Sequence, residues 1–192
     1  MKILLVVATK SEIIEAKFKD YDIIVTGAGM VSTTFSLTKR LSKKPYDLVI
    51  NMGVAGSFSD EIKIGDVVEV VEDNFSEIGF EEGNSFSEFT NFRIENSFKV
   101  DEKTNLKKAK GITVNTVHGN EKTITEIVSR LTPDVESMEG AACFMVCEKF
   151  EIPCIQIRAI SNKVEKRNTA NWDLPLAITN LNNKVEQIIS VL

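Results

Sequence analysis

Glu12, Glu136, Glu139 and Asn162 are the polar residues of this sequence whose positions invite chemistry. Glu12 follows an apolar run at residues 3–7. Glu136 and Glu139 stand just before a second, at 141–150, and Asn162 ends a third, at 154–160. Strand ends beside helix starts are where open α/β sheets place ligands, so Glu139 and Asn162 are expected to face one pocket from neighbouring elements. A carboxylate in such a place can accept hydrogen bonds from hydroxyls and offset positive charge as it develops. The competing role is structural, because a helix N-terminus stabilises an acidic side chain without any chemistry. For Glu12, position alone favours that structural role. Asn162 cannot act as an acid, but its amide offers two donors and one acceptor.

The elements that must hold these residues follow from periodicity. Residues 3–7 form a continuous β-branched run, as a strand buried on both faces would. Residues 11–18 read as a short helix with Glu12 in its first turn, 22–26 as a second strand, 32–41 as a helix and 47–51 as a third strand. Gly27-Ala-Gly29 lies between a strand and a helix, where glycines let a ligand approach backbone N–H groups. It lacks the third glycine and the acidic partner of a dinucleotide site. Gly53 and Gly56, in Asn51-Met-Gly-Val-Ala-Gly56, are compatible with a tight turn. A further strand begins at 64–68, and periodicity fails after Glu72. Residues 73–100 hold six of the eleven phenylalanines, so this stretch is a lid, an interface or a loop anchored in the core by its aromatics. Residues 111–117 read as a strand and His118-Gly119 as a turn, with Asn120 capping a helix that runs to about Leu131. His118, the only histidine, reads as an ordinary loop residue. Residues 163–167 read as a solvated turn and 174–192 as a closing amphipathic helix. Strands alternating with helices give an α/β class.

With 192 residues, no repeat and no low-complexity linker, residues 1–192 are expected to form one domain. A net charge of −5 argues against a nucleic-acid surface, which needs a basic patch. The apolar start is too short for a membrane span or a signal segment, so no membrane partner is expected and the reading is cytoplasmic. Cys143, Cys147 and Cys154 cannot all pair and lack a zinc pattern, which favours buried free thiols. No metal and no cofactor are expected.

Val135-Glu-Ser-Met-Glu-Gly-Ala-Ala142 and Arg158-Ala-Ile-Ser-Asn162 resemble the purine nucleoside phosphorylase and nucleosidase superfamily. Gly65-Asp-Val-Val68 and the glycine-rich turn at Gly27 resemble it as well, and the likeness spans residues 1 to about 178. The nearest branch is the nucleosidases for methylthioadenosine and S-adenosylhomocysteine, together with the futalosine hydrolases. The resemblance implies a three-layer α/β/α fold around a central twisted mixed sheet and a homodimer or higher homo-oligomer. It also implies cleavage of an N-ribosidic bond through an oxocarbenium-like sugar. Glu139 then takes the 2′- and 3′-hydroxyls, Met138 packs on the sugar, and Glu12 positions and deprotonates water. Gly53, Val54, Ser161 and Val117 line the sugar and base positions. The family has an Ala-Met-Glu-Glu-Glu stretch where this chain has Ala8-Thr-Lys-Ser-Glu12, so only the last glutamate is kept.

Two departures narrow the activity. Hexameric phosphorylases resemble Arg-x-Gly-Thr-x-Gly where this chain has Asn51 and Val54, and the missing arginine removes the phosphate grip. Phosphorolysis then needs an arginine from elsewhere, such as Arg93 of a neighbouring subunit, so hydrolysis is favoured. Methylthioadenosine nucleosidases resemble Arg-Ala-Ile-Ser-Asp, the aspartate protonating adenine N7, where this chain ends in Asn162. An amide donates to a 6-oxo group and accepts from protonated N7, which favours hypoxanthine over adenine. The loop Arg167-Asn-Thr-Ala-Asn-Trp172 resembles that of futalosine hydrolases on a menaquinone route. Trp172 and phenylalanines are expected to meet the 5′ group, and Arg167 a substrate carboxylate. A methylthioadenosine or S-adenosylhomocysteine nucleosidase is the alternative, ahead of a 6-oxopurine phosphorylase.

Overall fold

The structure is a computed structural model that describes residues 1–83 and 85–192. Its layering follows from side-chain alternation in the first strand, β1 (Ile3–Val7). Ile3, Leu5 and Val7 face one side, and Leu4 and Val6 face the other. All five are buried, so both faces must be covered. The first face packs with Leu48, Ile50, Met52, Ile155 and Ile157 against the C-terminal helix α4 (Leu174–Ile189) through Leu181, Val185 and Ile188. The second packs against α1 (Met30–Leu41) and α3 (Gly140–Lys149). The expected three layers are therefore present, with α4 on one side of a mixed sheet and α1 and α3 on the other.

The remaining elements are β2 (Asp22–Val25), β3 (Leu48–Ser57), β4 (Val67–Phe75), the hairpin β5 (Phe80–Glu82) and β6 (Ser85–Ser87), β7 (Ser97–Lys99), β8 (Lys107–Thr113), α2 (Glu121–Leu131), β9 (Val135–Ser137) and β10 (Cys154–Lys163). Strand β1 lies between β2 and β3, parallel to both. From β3 the pairing continues to β10 (parallel), β4 (antiparallel), β8 (parallel) and β9 (parallel), and β9 returns antiparallel to β3. Five strands thus close a ring, and β1 and β2 extend it as an open sheet. Strand β3 makes both possible: Leu48–Asn51 pair with β1, while Gly56 and Ser57 pair with β9. Between these partners its backbone is left for a side chain to satisfy.

Several sequence expectations are corrected. Residues 11–18 form no helix, only two three-residue 3₁₀ turns, Lys10–Glu12 and Glu15–Lys17. Buried Asn182 of α4 holds the chain between them, its Oδ1 accepting from Ile14 N at 2.8 Å and its Nδ2 donating to Glu12 O at 3.0 Å. These bonds satisfy backbone groups that a helix would have used itself. The strand expected at 47–51 runs on through the glycine motif to Ser57, so Gly53 and Gly56 sit in a strand and not in a turn. The strand expected at 111–117 ends at Thr113, because the N–H groups of Asn115 and Thr116 bond to Glu77 instead of to a ladder. Strand order persists past Glu72 to Phe75. In the phenylalanine-rich stretch only Phe75 and Phe98 enter the core, as an edge-to-face pair with ring centres 5.7 Å apart. Phe80, Phe89 and Phe92 form an exposed stack on the outside. No helix among the described residues is long and apolar enough to cross a membrane.

Candidate active site

At the carboxyl ends of β1, β3 and β10 lies a cavity of about 380 Å³. Its two ends differ in construction. At the first, Glu12 fills the gap along β3. Its Oε1 accepts from Val54 N at 3.2 Å, and its Oε2 accepts from Thr9 N at 2.8 Å and from Thr9 Oγ1 at 3.1 Å. Glu139 ends the chain before α3, and its Oε1 accepts from Gly29 N at 2.9 Å. Gly29 has φ of 92°, a conformation that glycine adopts without strain. The Gly27-Ala-Gly29 turn therefore serves Glu139, and its Gly29 N–H is not left for a ligand. Burial pushes the Glu139 carboxyl above its ordinary range; nearby Arg158 opposes this, and Glu12 adds to it.

Arg158 lies within β10 and is only 1% exposed. Its Nε donates to Gln156 Oε1 at 3.0 Å and its Nη2 to Asn51 Oδ1 at 2.5 Å. A Cβ on Gly53 would collide with Arg158 Nη1 and lie 2.9 Å from Glu12 Oε1, so Gly53 makes room for the guanidinium beside the carboxylate. The chain of bonds continues inward. Gln156 Nε2 donates to Asp73 Oδ2 at 3.0 Å, Thr113 Oγ1 donates to Asp73 Oδ1 at 2.9 Å, and Ala141 N donates to Thr113 Oγ1 at 2.7 Å. Burial raises the Asp73 carboxyl to about 6, with Gln156 and Thr113 opposing. This polar spine runs from the cavity floor to the first turn of α3, whose N-terminal neighbour is Glu139.

The second end is more open. His118 Nδ1 lies 2.7 Å from Glu136 Oε2, and His118 N donates to Glu136 Oε1 at 3.1 Å. Asn162 sits just past an irregularity in β10, where Ile160 pairs with Ala55 and Asn162 with the next residue, Gly56. Ser161 is the extra residue, and its Oγ donates to Asn162 Oδ1 at 2.9 Å. Asn162 Nδ2 donates to Lys163 O at 2.8 Å. Above them the Arg167 guanidinium lies over the Trp172 ring, 5.0 Å from its centre.

Glu12, Glu139, Asn162, Met138, Val54, Ser161, Val117, Trp172 and Arg167 all line this cavity, while Gly53 lies beneath it. Among the described residues no phenylalanine lines it; Val54, Val117, Met138, Trp172, Leu174 and Ile178 are the larger apolar side chains of its wall. His118, in a loop as expected, and Glu136 line it too. No spacing links positions 118 and 136; strand β9 joins them. Arg158 did carry a signal, since a charge inside an apolar strand needs a buried partner.

A family model described as the phosphorylase superfamily matches residues 9–192, and the chain belongs to that superfamily. It is similar to a 5′-methylthioadenosine/S-adenosylhomocysteine nucleosidase of Buchnera aphidicola, with 32% identity over 173 residues covering 81% of this chain and 74% of the relative. It is also similar to a futalosine hydrolase of Thermus thermophilus, with 25% identity over 178 residues covering 86% and 79%. The native structure of the futalosine hydrolase of Helicobacter pylori shares the fold, with a TM-score of 0.83 over 100% of this chain and 98% of that one at 18% identity.

Proposed function

We propose that this protein is an enzyme that hydrolyses the N-ribosidic bond of a purine nucleoside, and that the nucleoside is futalosine, with hypoxanthine released. The superfamily, the nucleosidase and hydrolase relatives and the paired carboxylates support the reaction class. The Asn162 amide, oriented by Ser161, carries the choice of base.

Cleavage builds positive charge on the ribose and negative charge on the departing purine, and these are what the site must stabilise. Glu139 keeps one oxygen on Gly29 and offers the other to the 2′- and 3′-hydroxyls, with Met138 against the sugar. Glu12 holds a water and takes its proton; the N–H groups of Val54 and Thr9 fix the carboxylate's position. At the far end Asn162 Nδ2 has one hydrogen on Lys163 and a second for a 6-oxo oxygen, while Oδ1 accepts from N7–H. Glu136 and His118 present acceptors toward N1–H of a 6-oxopurine, where adenine carries an acceptor of its own. Trp172 and Arg167 meet the 5′ substituent. Exposed Val31 and Phe35 on α1 support a homo-oligomer, which light scattering tests.

The similarity to the methylthioadenosine nucleosidase favours a second reading, adenine release. Incubation with futalosine, methylthioadenosine, S-adenosylhomocysteine and inosine in phosphate-free buffer separates the two. Hypoxanthine from futalosine is the expected product. Adenine from methylthioadenosine overturns the reading of Asn162, and turnover that waits for phosphate overturns hydrolysis itself.

A further inference from the structure

The fold brings three thiols together away from the cavity. Cys143 and Cys147 are four residues apart on α3, and Cys154 opens β10 beneath them. Their sulfur atoms all lie within 4.8 Å of one another, with Cys143 Sγ and Cys154 Sγ 3.8 Å apart. All three are free and buried. The sequence spacing carries no metal pattern, because Cys154 arrives from the next element.

We propose that this cluster is a three-coordinate thiolate site for a soft, thiophilic metal ion of the cuprous class. The geometry sets the coordination number. With metal–sulfur bonds of about 2.3 Å, a trigonal ion needs its sulfurs about 4.0 Å apart. The Cys143–Cys154 separation of 3.8 Å is close to that value and the other two are no more than 4.8 Å, so ligation needs shifts of less than about an ångström. The donor set sets the hardness. Three sulfurs and, among the described residues, no histidine or carboxylate within the cluster leave nothing for a hard ion. Structural zinc takes four ligands, whereas soft thiolate sets select monovalent copper. The surroundings set the accessibility. The thiols belong to an apolar cluster with Leu41, Ala142, Phe144 and Val146, which keeps water and competing ligands away.

Ligation is a proton exchange, each thiol releasing its proton to solvent as its sulfur binds the ion. No electron is transferred and the copper stays monovalent. Buried Arg158, on the same strand as Cys154, offsets part of the resulting negative charge. The bound ion would clip α3, which starts at the Glu139 junction, to β10, which carries Arg158 and Asn162. It binds the folded chain only, so it stabilises that state by mass action.

The test uses the full-length, fully reduced protein under anaerobic conditions. Cuprous ion is titrated in as its acetonitrile complex, against a cuprous chelator of known affinity. Expected are one copper per chain, a shell of three sulfurs at about 2.3 Å by X-ray absorption, and a raised Tm. Cys147→Ala should weaken binding at least tenfold, with Cys154→Ala giving the same loss at the other element. Circular dichroism and unchanged nucleoside turnover in the copper-free variants show that the fold survives. No competition with the chelator by the native protein overturns the site. A two-sulfur shell, or native-like affinity in a folded Cys147→Ala variant, overturns the three-coordinate assignment. The stoichiometry, sulfur shell, affinity and Tm do not depend on which nucleoside the cavity accepts.

Discussion

The two ends of the cavity are built on different principles. Around Glu12 and Glu139 every carboxylate contact runs to a backbone N–H or to nearby Thr9, and Arg158 is locked by two amide side chains, Gln156 of its own strand and Asn51 of β3. That end belongs to the core, and its geometry is over-determined. Around Asn162, Glu136 and His118 the contacts mix side chains with backbone on a short strand, a strand irregularity and loops, with Arg167 and Trp172 covering them from either side of the 3₁₀ turn Thr169–Asn171. The rigid end suits the step common to all ribosides, and the adaptable end suits the choice among bases and 5′ groups.

That contrast can be broken by mutation. Glu12→Gln removes the proposed base and should lower kcat by about a hundred- to ten-thousand-fold on every substrate alike. A loss confined to one nucleoside would merge the two ends. Asp73 is the next test, because it anchors the spine behind the rigid end. Its folded carboxyl titrates near 6 against an unfolded 3.8. Between those values the folded state holds a proton that the unfolded state has lost, so stability falls as pH rises from about 4 to 6. The full difference is about 3 kcal/mol. Asp73→Asn lacks this contribution, and urea melts of the two proteins across that range should diverge accordingly. Gly140→Ala should cost about 1–3 kcal/mol, since a Cβ there collides with Asp73 and Gln156. A neutral result in the same melts would show that the spine is not tightly packed.

At the adaptable end, Asn162→Asp should shift the kcat/KM ratio toward adenine nucleosides by at least about tenfold, with Tm unchanged. An equal loss on both bases would assign Asn162 to the reaction and not to selection. The smallest effect is expected for the acid limb of kcat/KM. Burial of Glu139 should place it above the ordinary carboxylate range, and Glu139→Gln should remove it from the residual activity.

Much of this was legible in the residues. The buried strand at Ile3–Val7, the Asn120 cap and the helix after Glu139 follow from apolar period and capping chemistry, and they are present. The nine lining residues were reachable because they lie in motifs at element ends. What escaped depends on partners far away in sequence. The 3₁₀ turns around Glu12 depend on Asn182, 170 positions on. The pairing of His118 with Glu136 depends on where β9 is laid, and strand β9 is too short to show a period. Ring closure escaped for the same reason, since it needs β3 to pair with β1 at one end and with β9 at the other on the same edge.

The irregularity at Ser161 has a consequence for how substrate range can drift. Upstream of it, β10 is in continuous register with both β3 and β4, so a gained or lost codon there would invert a buried face and cost the fold. At Ser161 the ladder has already absorbed one surplus residue. Length change at that point would re-aim Asn162, the side chain proposed to meet the base, and leave Arg158 where it is. If Asn162 selects the base as proposed, insertions and deletions, and not only substitutions, are a route by which this scaffold can exchange one nucleobase for another.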